Sequence, residues 1–187
     1  MTAITTCLPQ GVVTILAMKK LLNMLCFVAL FACTGHPDNI KPVKGFDLDK
    51  YLGTWYEVAR LDHSFERGMQ QVTATYSMRD DGGVKVLNQG FDTTKQRWEN
   101  AEGKAYFVDD EDTGYLKVSF FGPFYGAYVV FELDSAYQYA FVAGNDYDYL
   151  WLLSRTPEVT LAVKQRFVQL ARDKGFAVDE LIWVQHP

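Results

Sequence analysis

No cysteine occurs beyond position 33: Cys7, Cys26 and Cys33 are the only three in 187 residues. If the chain is cut before Cys33, one thiol remains, at the new N-terminus, and no intramolecular disulfide can form. Left uncut, it is a cytosolic chain with three free thiols. Histidine is as sparse, with His36, His63 and His186. No Ser/His/Asp arrangement or metal-ligand spacing emerges around them, so catalytic and metal sites are expected to be none, and no cofactor is expected. Basic excess is missing too. The net charge is −5, and removing Lys19 and Lys20, the only charges in the first 32 residues, leaves −7 on the rest. Such a domain repels phosphate backbones, which argues against nucleic acid as a partner. No apolar run is long enough to span a bilayer core, which takes roughly 20 residues.

Aromatic residues, by contrast, make up 15% of the chain, mostly phenylalanine and tyrosine, and these favour strands. From Trp55 to Arg155 short apolar segments follow one another between turn signals. Residues 71–78 alternate, with Val72, Ala74, Tyr76 and Met78 on one face. Asp80-Asp81-Gly82-Gly83 is a turn, and further segments cover 84–91, 96–108, 115–121, 127–133, 137–143 and 149–155. With the one beginning at Trp55 they number eight. Short antiparallel strands joined by tight turns predict an all-β up-and-down barrel or a sandwich. The pattern then changes. Thr156-Pro157-Glu158 reads as a helix start. Val163, Phe167, Leu170 and Ala171 recur at helical spacing, and Lys174-Gly175 is a stop. An amphipathic helix must bury its apolar face, so it packs outside the barrel. Residues 181–184 return as a last short strand. Several strands, such as Leu150-Trp151-Leu152-Leu153, are apolar on both faces. Part of that excess faces the helix, and the remaining exposed aromatics admit a homodimer or another contact.

The N-terminal segment has the layout of a secretory signal, with Met18-Lys19-Lys20, an apolar stretch over 21–32 and small Ala32 last. Met18 is a candidate true start. Leu30-Phe31-Ala32-Cys33 resembles the bacterial lipoprotein box, which implies a lipid anchor at Cys33, and Thr34 in place of an aspartate implies outer-membrane sorting on the periplasmic side. Several acyl chains at about 0.8 kcal/mol per buried methylene anchor stably where one would not. Ordinary cleavage and a soluble periplasmic protein is the alternative. The expected organisation is a signal peptide over 1–32, a lipid-anchored flexible tether over 33–45, and one domain over 46–187.

Leu52-Gly53-Thr54-Trp55-Tyr56-Glu57-Val58-Ala59-Arg60, Phe65-Glu66-Arg67-Gly68, 118–126 with Gly122-Pro123-Phe124-Tyr125-Gly126, and Leu150-Trp151-Leu152-Leu153-Ser154-Arg155-Thr156-Pro157 stand in order along the chain. Over 46–186 it resembles the lipocalins, and most closely their lipid-anchored bacterial members. The resemblance implies an eight-stranded antiparallel barrel with a C-terminal helix outside. It places Gly53, Trp55 and Arg155 at the closed end in a structural role. Setting Trp55 and Arg155 inward, and following the family's register, puts Trp151 and Leu153 inside. Ala74, Tyr76, Val86, Asn88, Ala105, Phe107, Val118, Phe120, Tyr128, Val130 and Val142 join them as ligand-binding residues, together with Gly103, Leu116 and Ala140 in the lining.

The first strand starts at the closed end, so loops 61–70, 91–96, 121–126 and 144–148 ring the mouth. Their His63, Phe65, Arg67, Phe124, Tyr125 and Tyr147 suit a greasy tail with an anionic head. A bilayer shelters an acyl chain as well as a cavity does, at about 0.8 kcal/mol per methylene for either. The expected occupant therefore leaves membranes easily, as fatty acids and lysophospholipids do. Other small hydrophobes are the alternative. An enzyme would need a cavity carboxylate with a raised pKa, for which Glu57 is the candidate.

Overall fold

The computed structural model describes residues 35–187; the signal segment, Cys33 and Thr34 lie outside the described residues. Asp47 opens the ordered core by accepting a hydrogen bond from the Lys50 N–H, which caps the one-turn helix α1 (Leu48–Tyr51). Gly53 follows at φ +93°, a left-handed conformation that strains any L side chain, and a Cβ there would stand 3.4 Å from Arg155 Nη1. The glycine lets α1 fold under the barrel while β1 sets off upward.

Eight strands follow: β1 (Gly53–Arg60), β2 (Met69–Met78), β3 (Val84–Asp92), β4 (Arg97–Phe107), β5 (Tyr115–Phe121), β6 (Phe124–Leu133), β7 (Tyr139–Ala143) and β8 (Leu150–Ser154). Each pairs antiparallel with the next. Gly53–Tyr56 of β1 pair with β2, and Tyr56–Arg60 pair with β8, which closes the ring. This is a barrel, not a sandwich. β2 leaves the edge of β1 beyond Tyr56, and β9 (Ile182–Trp183) takes its place opposite Ala59 and Arg60. Gln71, at φ 55°, bulges there and donates its N–H to the Gln185 carbonyl.

The helix α2 (Leu161–Asp173) begins later than Thr156. Its cap is Thr160, whose hydroxyl accepts the Val163 N–H. Residues 156–160 form a turn in which the Thr156 hydroxyl donates to the Glu158 carbonyl. Pro157 signals this turn, three residues ahead of the cap. The stop stands where the sequence puts it, with Gly175 at φ +92° and the Phe176 N–H on the Ala171 carbonyl.

Two apolar cores share one wall. Tyr128 and Val130 of β6, Ala140 and Val142 of β7, and Trp151 and Leu153 of β8 point into the barrel. The alternate residues, Val129, Phe131, Phe141, Ala143, Leu150 and Leu152, point outward and pack with Phe167 and Ala171 of α2. That is why these strands are apolar on both faces. Residues 36–45 are not a free tether. Ile40 is fully buried in the outer core, the Val43 N–H bonds to the Val130 carbonyl, and Lys44 bridges Thr113. Ile40 and Val43 give this stretch apolar anchors that its prolines and polar residues mask. Among the described residues, no helix is long and apolar enough to cross a membrane.

Candidate functional site: the barrel interior

The lower end of the barrel is sealed. Trp55 is fully buried, its Nε1 donates to the Tyr51 carbonyl at 2.8 Å, and the Arg155 guanidinium lies 3.9 Å from its ring centre. Arg155 also donates to the carbonyls of Thr54, Lys50, Tyr51, Leu52 and Tyr137. One guanidinium thus holds the last strand, the α1 turn and the start of β1 together.

Above this seal lies a cavity of about 600 Å³, open at the opposite end. Its size falls within the roughly 300–1,000 Å³ usual for small-molecule sites. Ten of the thirteen residues expected to meet a ligand border it: Ala74, Tyr76, Val86, Asn88, Ala105, Val118, Phe120, Tyr128, Trp151 and Leu153. Leu116 borders it as well. Phe107, Val130 and Val142 face inward but do not reach the cavity, nor does Ala140. Phe107 stands edge-on to Phe46, while Val130, Val142 and Ala140 are completely covered by their neighbours. Alternation sets the face of a side chain; how far up the barrel it sits depends on strand tilt and on the bulge between Val130 and Glu132. Gly103 is also absent from the lining, and a Cβ there would meet the Phe120 ring at 2.8 Å. Met78 lies half-exposed at the far end of β2.

The mouth is aromatic. Phe121 (79% exposed), Phe124 (74%) and Phe65 (54%) all border the opening. Neither of the cationic candidates expected at the mouth borders the opening. Arg67 is engaged with Asp62 at 2.8 Å. His63 is buried under Phe65, Tyr149 and Trp151, with Nε2 2.9 Å from Glu66 Oε2.

Charge is instead set into the wall. Arg60 is 1% exposed; its Nη1 lies 2.6 Å from Glu57 Oε1, and its Nη2 donates to the carbonyls of Glu66 and Met69. Trp151 Nε1 donates to Glu66 Oε2 at 3.1 Å. Burial, reinforced by the nearby Glu66 charge, pushes the Glu57 carboxyl well above the usual carboxylate range against the pull of Arg60. Burial acts on Glu66 in the same direction, but His63, the Trp151 N–H and Arg60 hold it below that range. Both glutamates border the cavity. The alternating pattern of β1 gives no hint of this cluster. The Phe65-Glu66-Arg67-Gly68 block is its one sequence signal, since the loop carries Glu66 back over the wall.

Deeper still, the Tyr51 and Tyr128 hydroxyls are 2.7 Å apart, and those of Tyr76 and Tyr128 are 2.8 Å apart. Burial raises all three phenols above their ordinary value. Among the described residues, no group of three or more His, Cys, Asp or Glu is placed to hold a metal ion.

A closed antiparallel barrel with a plugged floor, an apolar interior and an open aromatic rim has the form of a container with room for a small hydrophobic molecule. The comparisons with known proteins agree with that class. The model of the lipocalin-like domain matches residues 46–186, and the chain belongs to the lipocalin family. It is 57% identical over 169 residues to the outer membrane lipoprotein Blc of Vibrio cholerae, covering 90% of this chain and 99% of that one. Identity to the protein of the same name from Escherichia coli is 54% over 151 residues, or 81% of this chain and 85% of that one. Among solved structures, insecticyanin from the tobacco hornworm superposes with a TM-score of 0.64 at 20% identity, covering 82% of this chain and 87% of that one; at that identity the likeness is one of fold.

Proposed function

We propose that this chain is a lipid-anchored lipocalin of the bacterial outer membrane that binds single-chain lipids, such as fatty acids and lysophospholipids, and stores or carries them within the envelope. The observation that carries the reading is the cavity of about 600 Å³, walled by aliphatic and aromatic side chains above the Trp55–Arg155 seal. Relatives that share more than half their residues with it are named as outer membrane lipoproteins, which supports an anchor at Cys33 and the periplasmic face of that membrane. The ligand roles of the ten bordering residues belong to this proposal.

Glu57 meets the condition that would favour an enzyme, a cavity carboxyl with a raised pKa. Its Oε1 is occupied by Arg60, however, and none of the described residues forms a nucleophile–base pair beside it. Its environment is that of a buried carboxyl hydrogen-bonded to Arg60 within the barrel wall. Binding is therefore the better reading.

Native mass spectrometry of protein purified from its own envelope tests the proposal. The expected spectrum carries an added mass that fragments as a single-chain lipid. Recovery of a pigment or another non-lipid hydrophobe would replace the lipid reading with a scavenger. A protein that leaves the envelope empty, and that no lipid loads in vitro, would defeat binding altogether.

A further inference from the structure

The three tyrosines at the cavity floor carry a proton count that does not close. Tyr51, Tyr128 and Tyr76 have one hydroxyl proton each, and two links, Tyr51–Tyr128 and Tyr128–Tyr76, join them. Whichever way the protons point, two are used and one is left over. None of the three hydroxyls has another hydrogen-bond partner among the described residues, and all three residues border the cavity. Tyr51 and Tyr76 are more than nine-tenths buried. The deep end of an otherwise apolar chamber thus presents one unused donor. Burial holds the phenols above their ordinary pKa, so they remain protonated at physiological pH.

The acidic residues that border the chamber are Glu57, Glu66 and Glu99, and among the described residues no lysine, arginine or histidine borders it. Arg60 lies behind Glu57 and is committed to it. An ionised carboxylate brought inside would be desolvated with no cation in contact, because Arg155, below the tyrosines, is committed to the Trp55 ring and to backbone carbonyls. A neutral oxygen would meet a waiting proton.

We propose that, among single-chain aliphatic ligands, the barrel favours those with an uncharged oxygen acceptor, such as an alcohol, at the end that enters first, and that the spare proton of the Tyr51–Tyr128–Tyr76 chain receives that oxygen. The proposal rests on the reading of the barrel as a lipid-binding site and narrows it. The chain then runs up the apolar wall to Phe65, Phe121 and Phe124 at the rim.

Displacement of a fluorescent fatty-acid analogue by dodecanol, dodecyl chloride and dodecanoate at neutral pH tests it. On the natural protein dodecanol should displace about three- to tenfold better than dodecyl chloride, the range that one net neutral hydrogen bond supplies, and dodecanoate should be weaker than dodecanol. The triple variant Tyr51→Phe, Tyr76→Phe, Tyr128→Phe should lose the advantage of dodecanol and still take dodecyl chloride. The single variant Tyr139→Phe, on the outer face of β7, is the control, and dodecanol should displace from it as from the natural protein. If the triple variant does not fold, the ranking of the three ligands on the natural protein still decides. Equal displacement by all three ligands on the natural protein overturns the selectivity and leaves lipid binding standing. So does an unchanged dodecanol preference in the triple variant, or dodecanoate equalling dodecanol. No displacement by any of them overturns the lipid-binding reading as well.

Discussion

Arg155 shows how much one side chain can organise. Its planar guanidinium stacks on Trp55 and donates to five backbone carbonyls from three parts of the chain. A lysine ammonium has three donors and no plane to lay on an indole. Arg155→Lys should therefore keep the charge and still lower stability, by about 1–3 kcal/mol, read as a lower urea midpoint with an unchanged slope. Glu57 gives a prediction with a sign. Its carboxyl holds a proton to higher pH in the fold than in the unfolded chain. The folded state is then the better proton binder above the ordinary carboxylate range, and that contribution to stability is lost as pH rises through the window. Glu57→Gln carries no such proton. The difference in urea-derived stability between variant and natural protein should move in favour of the variant as pH rises from about 4; a difference independent of pH would refute the assignment. Gly53 and Trp55 are legible because they stand together in one short motif, whereas Arg155, a hundred residues further on, is placed beside them only by the family resemblance. The wall cluster is not legible, because Glu57, Arg60, His63 and Glu66 come together only when the loop from 61 to 68 turns back over β1.

At the scale of elements, α2 matters through its buried face more than through its ends. Phe167 is fully buried and stands edge-on to Phe141 at 5.0 Å. Phe167→Ala should cost about 3–5 kcal/mol, whereas Thr160→Ala, which removes a cap whose hydrogen bond is 3.4 Å long, should cost about 1 kcal/mol or less. Thermal unfolding of the two variants separates these contributions. The order of eight strands, the outer helix and the final strand all follow from spacing and turn chemistry, and the inward faces follow from alternation once the family's register supplies an anchor. Two things do not. The helix start is masked by Thr156-Pro157-Glu158, a capping pattern that the backbone spends on a turn. The height of Phe107, Val130 and Val142 in the barrel depends on strand tilt and, in β6, on the bulge between Val130 and Glu132, which leave no mark in composition.

At the scale of the whole molecule, the barrel has unequal sides. β6, β7 and β8 have apolar packing on both faces, with the cavity side chains within and α2 without. β4 has no second apolar layer behind it and leaves Arg97, Trp98 and Glu102 exposed to solvent. Local opening follows such differences in burial. Amide hydrogen exchange should be slowest in Phe141–Ala143 and Leu150–Leu152 and fastest in Arg97–Glu102. Uniform protection around the ring would contradict this.

That asymmetry bears on how one scaffold accommodates guests of different girth. The half clamped between two hydrocarbon layers is a fixed jaw. The half backed by water can yield, since displacing its outer side chains disrupts no packed layer. Adaptation to a bulkier guest then falls to the β3–β4 hairpin, and stiffening it through its outward side chains alone would narrow the range of molecules accepted.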